Sequence, residues 1–284
     1  MNKLVEINRG HYGKRAILKG PWKADYKHLI IDNQVVEILL NGAKGWRGKD
    51  VDFLTELPHL LSIEIISSLQ NDHAINELRE LRAIHIESPA KTEIDFLNFP
   101  KIEKIAVYWR PGLRNLFRCE TVRNLWLYKY PGNSLSDFAS LKNLQRLELK
   151  NSRSLDQIGE VSGLRKLEML GIYLAPKLLS LTGVQALKNL RTLEIDTCRK
   201  IKDISPVRDL IKLRRFMFVD GAKIESIKAL RNLEQLEEFF FYGSTNISDG
   251  DLSVLSEMPN LKEVAFQQRR HYNRNWSDFE STRD

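Results

Sequence analysis

Apolar residues along this chain recur with two alternating periods. In residues 193–210, which read LEIDTCRKIKDISPVRDL, Leu193 and Ile195 are two positions apart, and from Ile201 to Leu210 an apolar residue falls at every third position. A period of two is typical of a β-strand, because successive strand side chains point to opposite faces. The longer period predicts a return segment whose apolar residues close the same core from the other side.

The same alternation repeats in register over most of the chain. Four consecutive segments of 23 residues carry apolar residues at their positions 1, 4, 7, 9, 15, 18 and 21; they are 141–163, 164–186, 187–209 and 210–232. Looser units of 20 to 25 residues extend the frame in both directions, and they begin at Asp32, Leu57, Leu78, Phe99, Cys119, Leu233 and Met258. One unit cannot bury its apolar face alone. The pattern therefore predicts about ten to eleven stacked repeats over residues 32–266.

A repeat of this length with the core L-x-x-L-x-L resembles the leucine-rich-repeat family. The later I-x-D-I-x-x-V-x-x-L of residues 201–210 resembles the short bacterial repeats of internalins. The resemblance implies an α/β solenoid, a curved horseshoe with a parallel β-sheet on its concave face and short helical or irregular returns on its convex face. Many members stack asparagines at the turn after the strand, but this chain has residues such as Ser152, Ala175 and Cys198 there. Its turns must satisfy their backbone groups in another way.

The two ends of the chain do not follow the repeat. Residues 1–31 lack it but contain Trp22, Tyr26 and Leu29, which are enough to cover the first unit, so we expect an N-terminal cap. Residues 267–284 are polar and basic, and they predict a C-terminal tail or partial cap.

Composition places the chain among folded, non-membrane proteins. Its residues are 42% hydrophobic and 29% charged, as in ordinary soluble domains. The most apolar stretch, residues 29–40, contains Asp32 and Glu37 and is too short to cross a bilayer. With no apolar segment of signal-peptide type at the start, we expect a cytoplasmic protein whose Cys119 and Cys198 are buried free thiols.

The side chains that carry enzymatic chemistry do not fall in any known spacing. None of the six histidines lies in a metal-ligand pattern with Cys, Asp or Glu. Residues 41–49, NGAKGWRGK, have glycines and lysines but not the order of a phosphate-binding loop, and they predict an enlarged turn. The ubiquitin ligases that carry leucine-rich repeats have a separate catalytic domain, for which this chain has no room. We expect no enzymatic activity, no cofactor and no metal.

The repeat register predicts which strand residues lie on the concave face. That face holds eight acids, Glu37, Glu64, Glu87, Glu148, Glu194, Asp196, Glu238 and Glu263. It holds four bases, Lys104, Arg146, Lys150 and Arg215, which gives a balance of −4 on a chain of net charge +7. The excess positive charge is therefore expected on the turns, the convex side and the ends. Because a nucleic-acid groove would line the concave track with Lys and Arg, we do not expect nucleic-acid binding there.

The same face is predicted to carry aromatic residues in two clusters. Exposed aromatics on a rigid sheet are enriched at binding hot spots, although cross-strand stacking that merely stabilises the sheet is the alternative. Clustering favours a binding surface. The predicted partner-binding residues are Tyr108, Trp109, Trp126, Tyr128, Tyr173, Glu194, Asp196, Met217, Phe240 and Tyr242.

These features predict a non-enzymatic, bacterial protein-interaction scaffold whose partner is a protein with a basic or mixed surface. One alternative is a stoichiometric inhibitor or immunity protein that masks a basic toxin or nuclease, which rests on analogy within the family. Another alternative is RNA binding through the basic ends and the convex face. No membrane partner is expected.

Overall fold

Each repeat contributes one short strand whose alternating residues decide which face is buried. In Ser62–Ile66, Ile63 and Ile65 are buried while Glu64 lies partly exposed on the other face. The buried residues are the apolar positions of the repeat, so the period of two in the sequence sets the inner face of the sheet.

A computed structural model describes residues 4–282, and the chain packs as two compact units, residues 1–126 and 127–284. Residues 1–3 of the predicted cap and residues 283–284 of the predicted tail lie outside the described residues.

Unit 1 contains a hairpin followed by parallel strands. Its strands are β1 (Val5–Arg9), β2 (Lys14–Leu18), β3 (Val35–Asn41), β4 (Ser62–Ile66), β5 (Ala83–Glu87) and β6 (Lys104–Tyr108). Strands β1 and β2 pair antiparallel, and β2 through β6 pair parallel in chain order. Helix α1 (Asp25–Asp32) connects β2 to β3. The next strand, β7 (Asn124–Tyr128), contains the division between the units.

Unit 2 continues with parallel strands in chain order. They are β8 (Arg146–Lys150), β9 (Met169–Tyr173), β10 (Thr192–Asp196), β11 (Arg215–Val219), β12 (Glu238–Phe241) and β13 (Glu263–Phe266). Equivalent repeat positions face each other across this sheet, and they form a buried column of Leu147, Leu170, Leu193, Phe216 and Phe239. The repeat frame of the sequence is thus the pairing register of the strands.

The return segments are mostly short 3₁₀ helices. They are Gly42–Lys44, Asp52–Glu56, His73–Glu77, Phe96–Asn98, Leu116–Arg118, Ser136–Ser140, Val184–Ala186, Ser205–Asp209, Lys228–Asn232 and Trp276–Thr282. One return contains helix α2 (Ser253–Ser256). Two-residue parallel pairs join neighbouring returns, Ile94–Asp95 with Leu113–Arg114 and Lys223–Ile224 with Asn246–Ile247. These returns carry the apolar residues of period three into the core.

The turns of unit 2 manage without an asparagine ladder. The residue just after the strand has a positive φ in several repeats, for example 60° at Leu174 and 55° at Thr197. In one turn the Thr245 hydroxyl accepts a hydrogen bond from the Gly221 amide at 2.9 Å and donates to the Phe218 carbonyl at 2.8 Å. Local backbone geometry and single hydroxyls thus take the place of stacked side-chain amides.

The turn after β3 is enlarged, and the residues that follow β13 pack against that strand. Gly42–Lys44 makes the enlarged turn after β3, where the Asn41 side chain accepts from the Ala43 amide at 2.8 Å. At the other end, the Phe266 ring lies 5.8 Å from Tyr272 and 6.2 Å from Phe279. The division of the chain into cap, solenoid and tail stays a prediction.

Candidate functional site

The outward face of unit 1 brings Tyr108 and Trp126 together. Their ring centroids are 6.1 Å apart, and both side chains are partly exposed. The Tyr108 hydroxyl donates to Glu87 Oε2 at 3.0 Å. Trp109 lies just after the end of β6, where its ring stacks on Phe117 at 6.0 Å. Tyr108 and Trp126 therefore lie side by side on this face, and their role in partner binding stays a prediction.

His85 lies between two carboxylates on this face. Its Nε2 is 2.9 Å from Glu87 Oε1, and its Nδ1 is 3.6 Å from Glu64 Oε1. Burial by itself lowers the pKa of His85, but its interactions with the carboxylates of Glu64 and Glu87 outweigh burial, and the pKa is raised above 6.5. The His85 imidazole in turn lowers the pKa of Glu64. The trio therefore favours an imidazolium between two carboxylates.

His85→Gln is expected to destabilise the fold more in weak acid than in weak base. A raised folded-state pKa contributes stability that is fully present below the ordinary value of 6.5 and is lost as pH rises through the folded value. Urea unfolding at about pH 5.5 and about pH 8.5 would show the difference, because histidine titrates between these values. An equal loss of stability at both pH values would contradict a charged His85.

Glu37 corrects the sequence prediction, because it is not on an open face. The prediction that it contributes exposed negative charge is wrong: only 1% of the residue is exposed. Arg15 donates to Glu37 Oε2 from Nε at 3.0 Å and from Nη2 at 2.8 Å, and the Tyr12 amide also donates to this carboxylate. The tip of the β1–β2 hairpin covers the carboxyl so closely that a Cβ on Gly10 would lie 2.4 Å from it. The hairpin therefore buries the Glu37 carboxylate, which holds the hairpin tip against β3.

The outward face of unit 2 carries a chain of paired side chains over four adjacent strands. The Tyr173 hydroxyl donates to Glu194 Oε2 at 2.6 Å. Arg215 donates from Nε to Glu194 Oε1 at 3.2 Å and from Nη1 to Glu238 Oε2. Burial, followed by the hydrogen bond to Glu194, raises the pKa of Tyr173, so the hydroxyl stays protonated and keeps donating. We call Tyr173, Glu194, Arg215 and Glu238 the cross-strand network.

Phe240 is the second correction. It was predicted to be an exposed aromatic, but it is 9% exposed, and the Arg215 guanidinium lies 4.7 Å from its ring centroid. Tyr242 follows the end of β12 and is 44% exposed. The far aromatic cluster therefore presents Tyr242 to solvent, while Phe240 supports Arg215 from below.

The remaining predicted residues of unit 2 have varied surroundings. Met217 and Asp196 are partly exposed, and Asp196 Oδ1 accepts from the Thr197 hydroxyl at 2.6 Å. The Tyr128 hydroxyl accepts from Asn151 Nδ2 at 3.0 Å. They supply surface to the same face as the cross-strand network.

Most of the predicted acidic side chains are paired within the sheet. Six of the eight make ion pairs with Arg or His, namely Glu37, Glu64, Glu87, Glu148, Glu194 and Glu238. The repeat register predicted which strand position each acid occupies, but it did not predict which base each acid pairs with. Arg215 lies directly opposite Glu238 in the strand register, and opposite charges in this position attract. The Arg215–Glu238 pair could therefore have been predicted from the repeat register.

Two classes of candidate chemical group can be checked in the described residues, metal ligands and thiols. Over residues 4–282, no group of three His, Cys, Asp or Glu residues could hold a metal ion. Burial raises the pKa of both Cys119 and Cys198 to about 12, so each remains a thiol. Within the same residues, no helix is long and apolar enough to cross a membrane.

Comparison with solved structures identifies the fold. No protein-family model and no curated protein matches the sequence. The structure is similar to an internalin, InlF, from Listeria monocytogenes, with a TM-score of 0.60 and 17% identity over 84% of this chain and 71% of that chain. The chain has the leucine-rich-repeat fold.

Two further structures agree with this assignment. The functional domain of InlJ from Listeria monocytogenes matches with a TM-score of 0.59 and 12% identity over 86% of this chain and 51% of that one. A leucine-rich-repeat protein from Leptospira interrogans matches at 0.52 and 14%, over 89% of this chain and 77% of that one. The predicted internalin-like fold class is confirmed, and identities this low show the fold alone.

Proposed function

We propose that this solenoid is a non-enzymatic scaffold that binds another protein on the outward face of its sheet. The observation that carries the proposal is the cross-strand network, in which Tyr173, Glu194, Arg215 and Glu238 hold one another in place on four strands. Side chains that are fixed before binding lose less conformational entropy when a partner arrives. A rigid polar lattice of this kind is suited to recognition.

The aromatic residues supply the apolar part of the outward face of each unit. Tyr108 and Trp126 in unit 1, and Tyr173 and Tyr242 in unit 2, are all at least partly exposed. Tyr and Trp dominate binding hot spots because they bury a large area while their polar atoms keep a hydrogen-bond partner. Tyr108 and Tyr173 already have such partners in Glu87 and Glu194.

The pairing of charges favours a partner of mixed rather than uniformly basic surface. A carboxylate already bound to Arg or Tyr keeps acceptor capacity but presents less net charge to an approaching cation. Arg215, which is 37% exposed at its side chain, offers donors between two acids. The partner we propose is therefore a protein with donors and acceptors interspersed.

Trp126→Ala is expected to weaken partner binding by about 2 kcal/mol, or roughly thirtyfold in Kd. The loss of stability should stay near 0.2–1 kcal/mol, the range for a cross-strand pair. The partner is first identified as a protein retained by the wild-type chain on an affinity column, and a binding titration and a thermal melt then follow for each variant.

Trp276→Ala is the matched control, because Trp276 is 51% exposed and lies in the C-terminal 3₁₀ helix instead of the strand face. If both tryptophan variants bind the partner equally well, the strand face is not the binding surface. If Trp126→Ala changes stability alone, the aromatic pair only braces the sheet.

A bacterial source and a cytoplasmic location remain predictions. The two buried thiols agree with a reducing compartment, and fractionation of cells expressing a tagged chain would test the location. No contact in the described residues favours the inhibitor or immunity-protein alternative.

A further inference from the structure

The positive charge of unit 2 is concentrated where its strands begin. Residues 142–146, 165–169, 188–192 and 211–215 hold equivalent positions in four consecutive repeats, and together they contain nine Lys or Arg residues and a single acid, Glu168. In the register, Arg146 faces Met169, Met169 faces Thr192 and Thr192 faces Arg215. The four rows are therefore one strand apart, about 4.8 Å. We call these rows the basic edge.

Six of the nine cations of the basic edge are exposed and make no ion pair within residues 4–282; they are Lys142, Arg165, Lys166, Lys188, Arg191 and Lys212. The other three pair with glutamates, as Arg214 does with Glu237 at 3.4 Å. Lys166 and Lys212 donate only to the neutral side chains of Asn143 and Asn189, each at 2.7 Å. Six unpaired cations less Glu168 leave a net charge of +5 on this edge.

The basic edge ends abruptly at the next repeat. Residues 234–238 contain Glu234, Glu237 and Glu238 and no base. Four strands span roughly 15 Å, so only a short anionic segment fits before the sign of the charge reverses. A long polyanion that continued along the edge would meet no base in this row, and Glu237 and Glu238 already pair with Arg214 and Arg215.

An apolar side chain interrupts the row of cations. Ile211 is 59% exposed and stands where the equivalent positions hold Lys142, Arg165 and Lys188. None of the four rows contains an aromatic residue on which a nucleic-acid base could stack, and such stacking is the usual platform for single strands. An exposed isoleucine among lysines suits an acidic peptide with an apolar residue.

We propose that the basic edge is a second interaction surface, which binds a short acidic segment of a protein partner. The acidic residues of the segment contact the six unpaired cations, an apolar side chain packs on Ile211, and a basic residue beyond it faces the acids of residues 234–238. This surface lies at the strand starts of unit 2 and does not depend on the outward face binding a partner.

The test measures binding of two fluorescein-labelled probes by anisotropy at low salt. One probe is an acidic peptide with Glu at alternate positions, a central Leu and a terminal Lys; the other is a single-stranded oligouridylate of matched length. The edge variant carries Lys166→Glu, Lys188→Glu and Lys212→Glu. The matched control carries Lys177→Glu, Lys200→Glu and Lys202→Glu, which are exposed lysines of the same unit outside the basic edge.

The peptide is expected to bind the wild-type chain and the control, and to bind the edge variant at least about tenfold more weakly, with the difference shrinking at high salt. Ile211→Ser should weaken peptide binding several-fold without changing the affinity for the oligouridylate. The inference is overturned if the peptide does not bind the wild-type chain, or if the edge and control variants lose affinity equally. It is also overturned if the oligouridylate binds more tightly than the peptide and loses its affinity in the edge variant, because the edge would then be a nucleic-acid site.

Discussion

Leu193→Ala is expected to lower the free energy of unfolding by about 2–5 kcal/mol, the usual range for truncating a fully buried leucine. Leu193 is 0% exposed, and its register partners are Leu170 on one side and Phe216 on the other. The alanine would leave a cavity in the middle of the buried column, where strands held in register cannot easily collapse.

Urea unfolding followed by circular dichroism measures this loss, and Leu179→Ala is its control. Leu179 is 60% exposed in the same unit, so the identical chemical change should cost under about 0.5 kcal/mol there. Because each repeat contacts only its neighbours, the repeats around residue 193 should lose hydrogen-exchange protection first. Equal effects for the two leucines would mean that the repeat register is misassigned.

The strands could be predicted from the sequence because one physical requirement repeats along the chain. Two apolar residues two positions apart, such as Leu193 and Ile195, point to the same side of their strand. Their side chains must pack on the equivalent two residues of the next repeat. Four segments of identical length fixed the frame, and the strand bounds Thr192–Asp196 and Arg215–Val219 followed from it. Agreement between repeats supplied the information that a single strand lacks.

For the candidate site, the sequence predicted which residues occupy outward strand positions, but it did not predict the contacts that their side chains make. Glu37 occupies an outward position, but the hairpin tip, more than twenty residues earlier in sequence, covers it. Phe240 also occupies an outward position, and the long side chain of Arg215 lies over it. The strand register determines the face on which a residue's Cβ lies. The exposure of its side chain also depends on which long side chains or non-repeating segments cover it.

The backbone conformation of the turns was even harder to predict from the sequence. Leu174 and Thr197 adopt a left-handed backbone just after their strands, with φ of 60° and 55°. Branched residues and leucine rarely take this conformation, so no propensity argument would have placed them there. The sheet register and the path of the return segment together determine this backbone conformation. The packing of the surrounding structure offsets the free-energy cost of the strained backbone.

A buried ion pair in unit 1 joins three successive turns. Asp72 is 0% exposed, and Arg110 binds it with two hydrogen bonds, Nη1 to Oδ2 at 2.8 Å and Nη2 to Oδ1 at 2.9 Å. Arg110 Nη1 also donates to the Ala90 carbonyl at 2.6 Å, and the Thr92 hydroxyl donates to the Asp72 carboxylate. One guanidinium thus satisfies acceptors from two neighbouring turns.

Arg110→Met is expected to destabilise the chain by about 3–5 kcal/mol, since removing one partner leaves a buried charge uncompensated. Arg114→Met is the control: Arg114 pairs with Glu93 at 2.5 Å, but these side chains are 60% and 55% exposed, and exposed pairs contribute only about 0–1 kcal/mol. Both variants are measured by urea unfolding.

The Asp72→Asn background separates lost charge pairing from lost packing. If the penalty arises from the unpaired carboxylate, Arg110→Met should cost about 0.5–3 kcal/mol less in that background, the range of coupling energies for contacting residues. An unchanged cost would assign the effect to the packing of the Arg110 stem and to its bond with Ala90. A loss for Arg110→Met no larger than that for Arg114→Met would mean that Asp72 finds water or another donor once the arginine is gone, and that this pair does not hold the turns together.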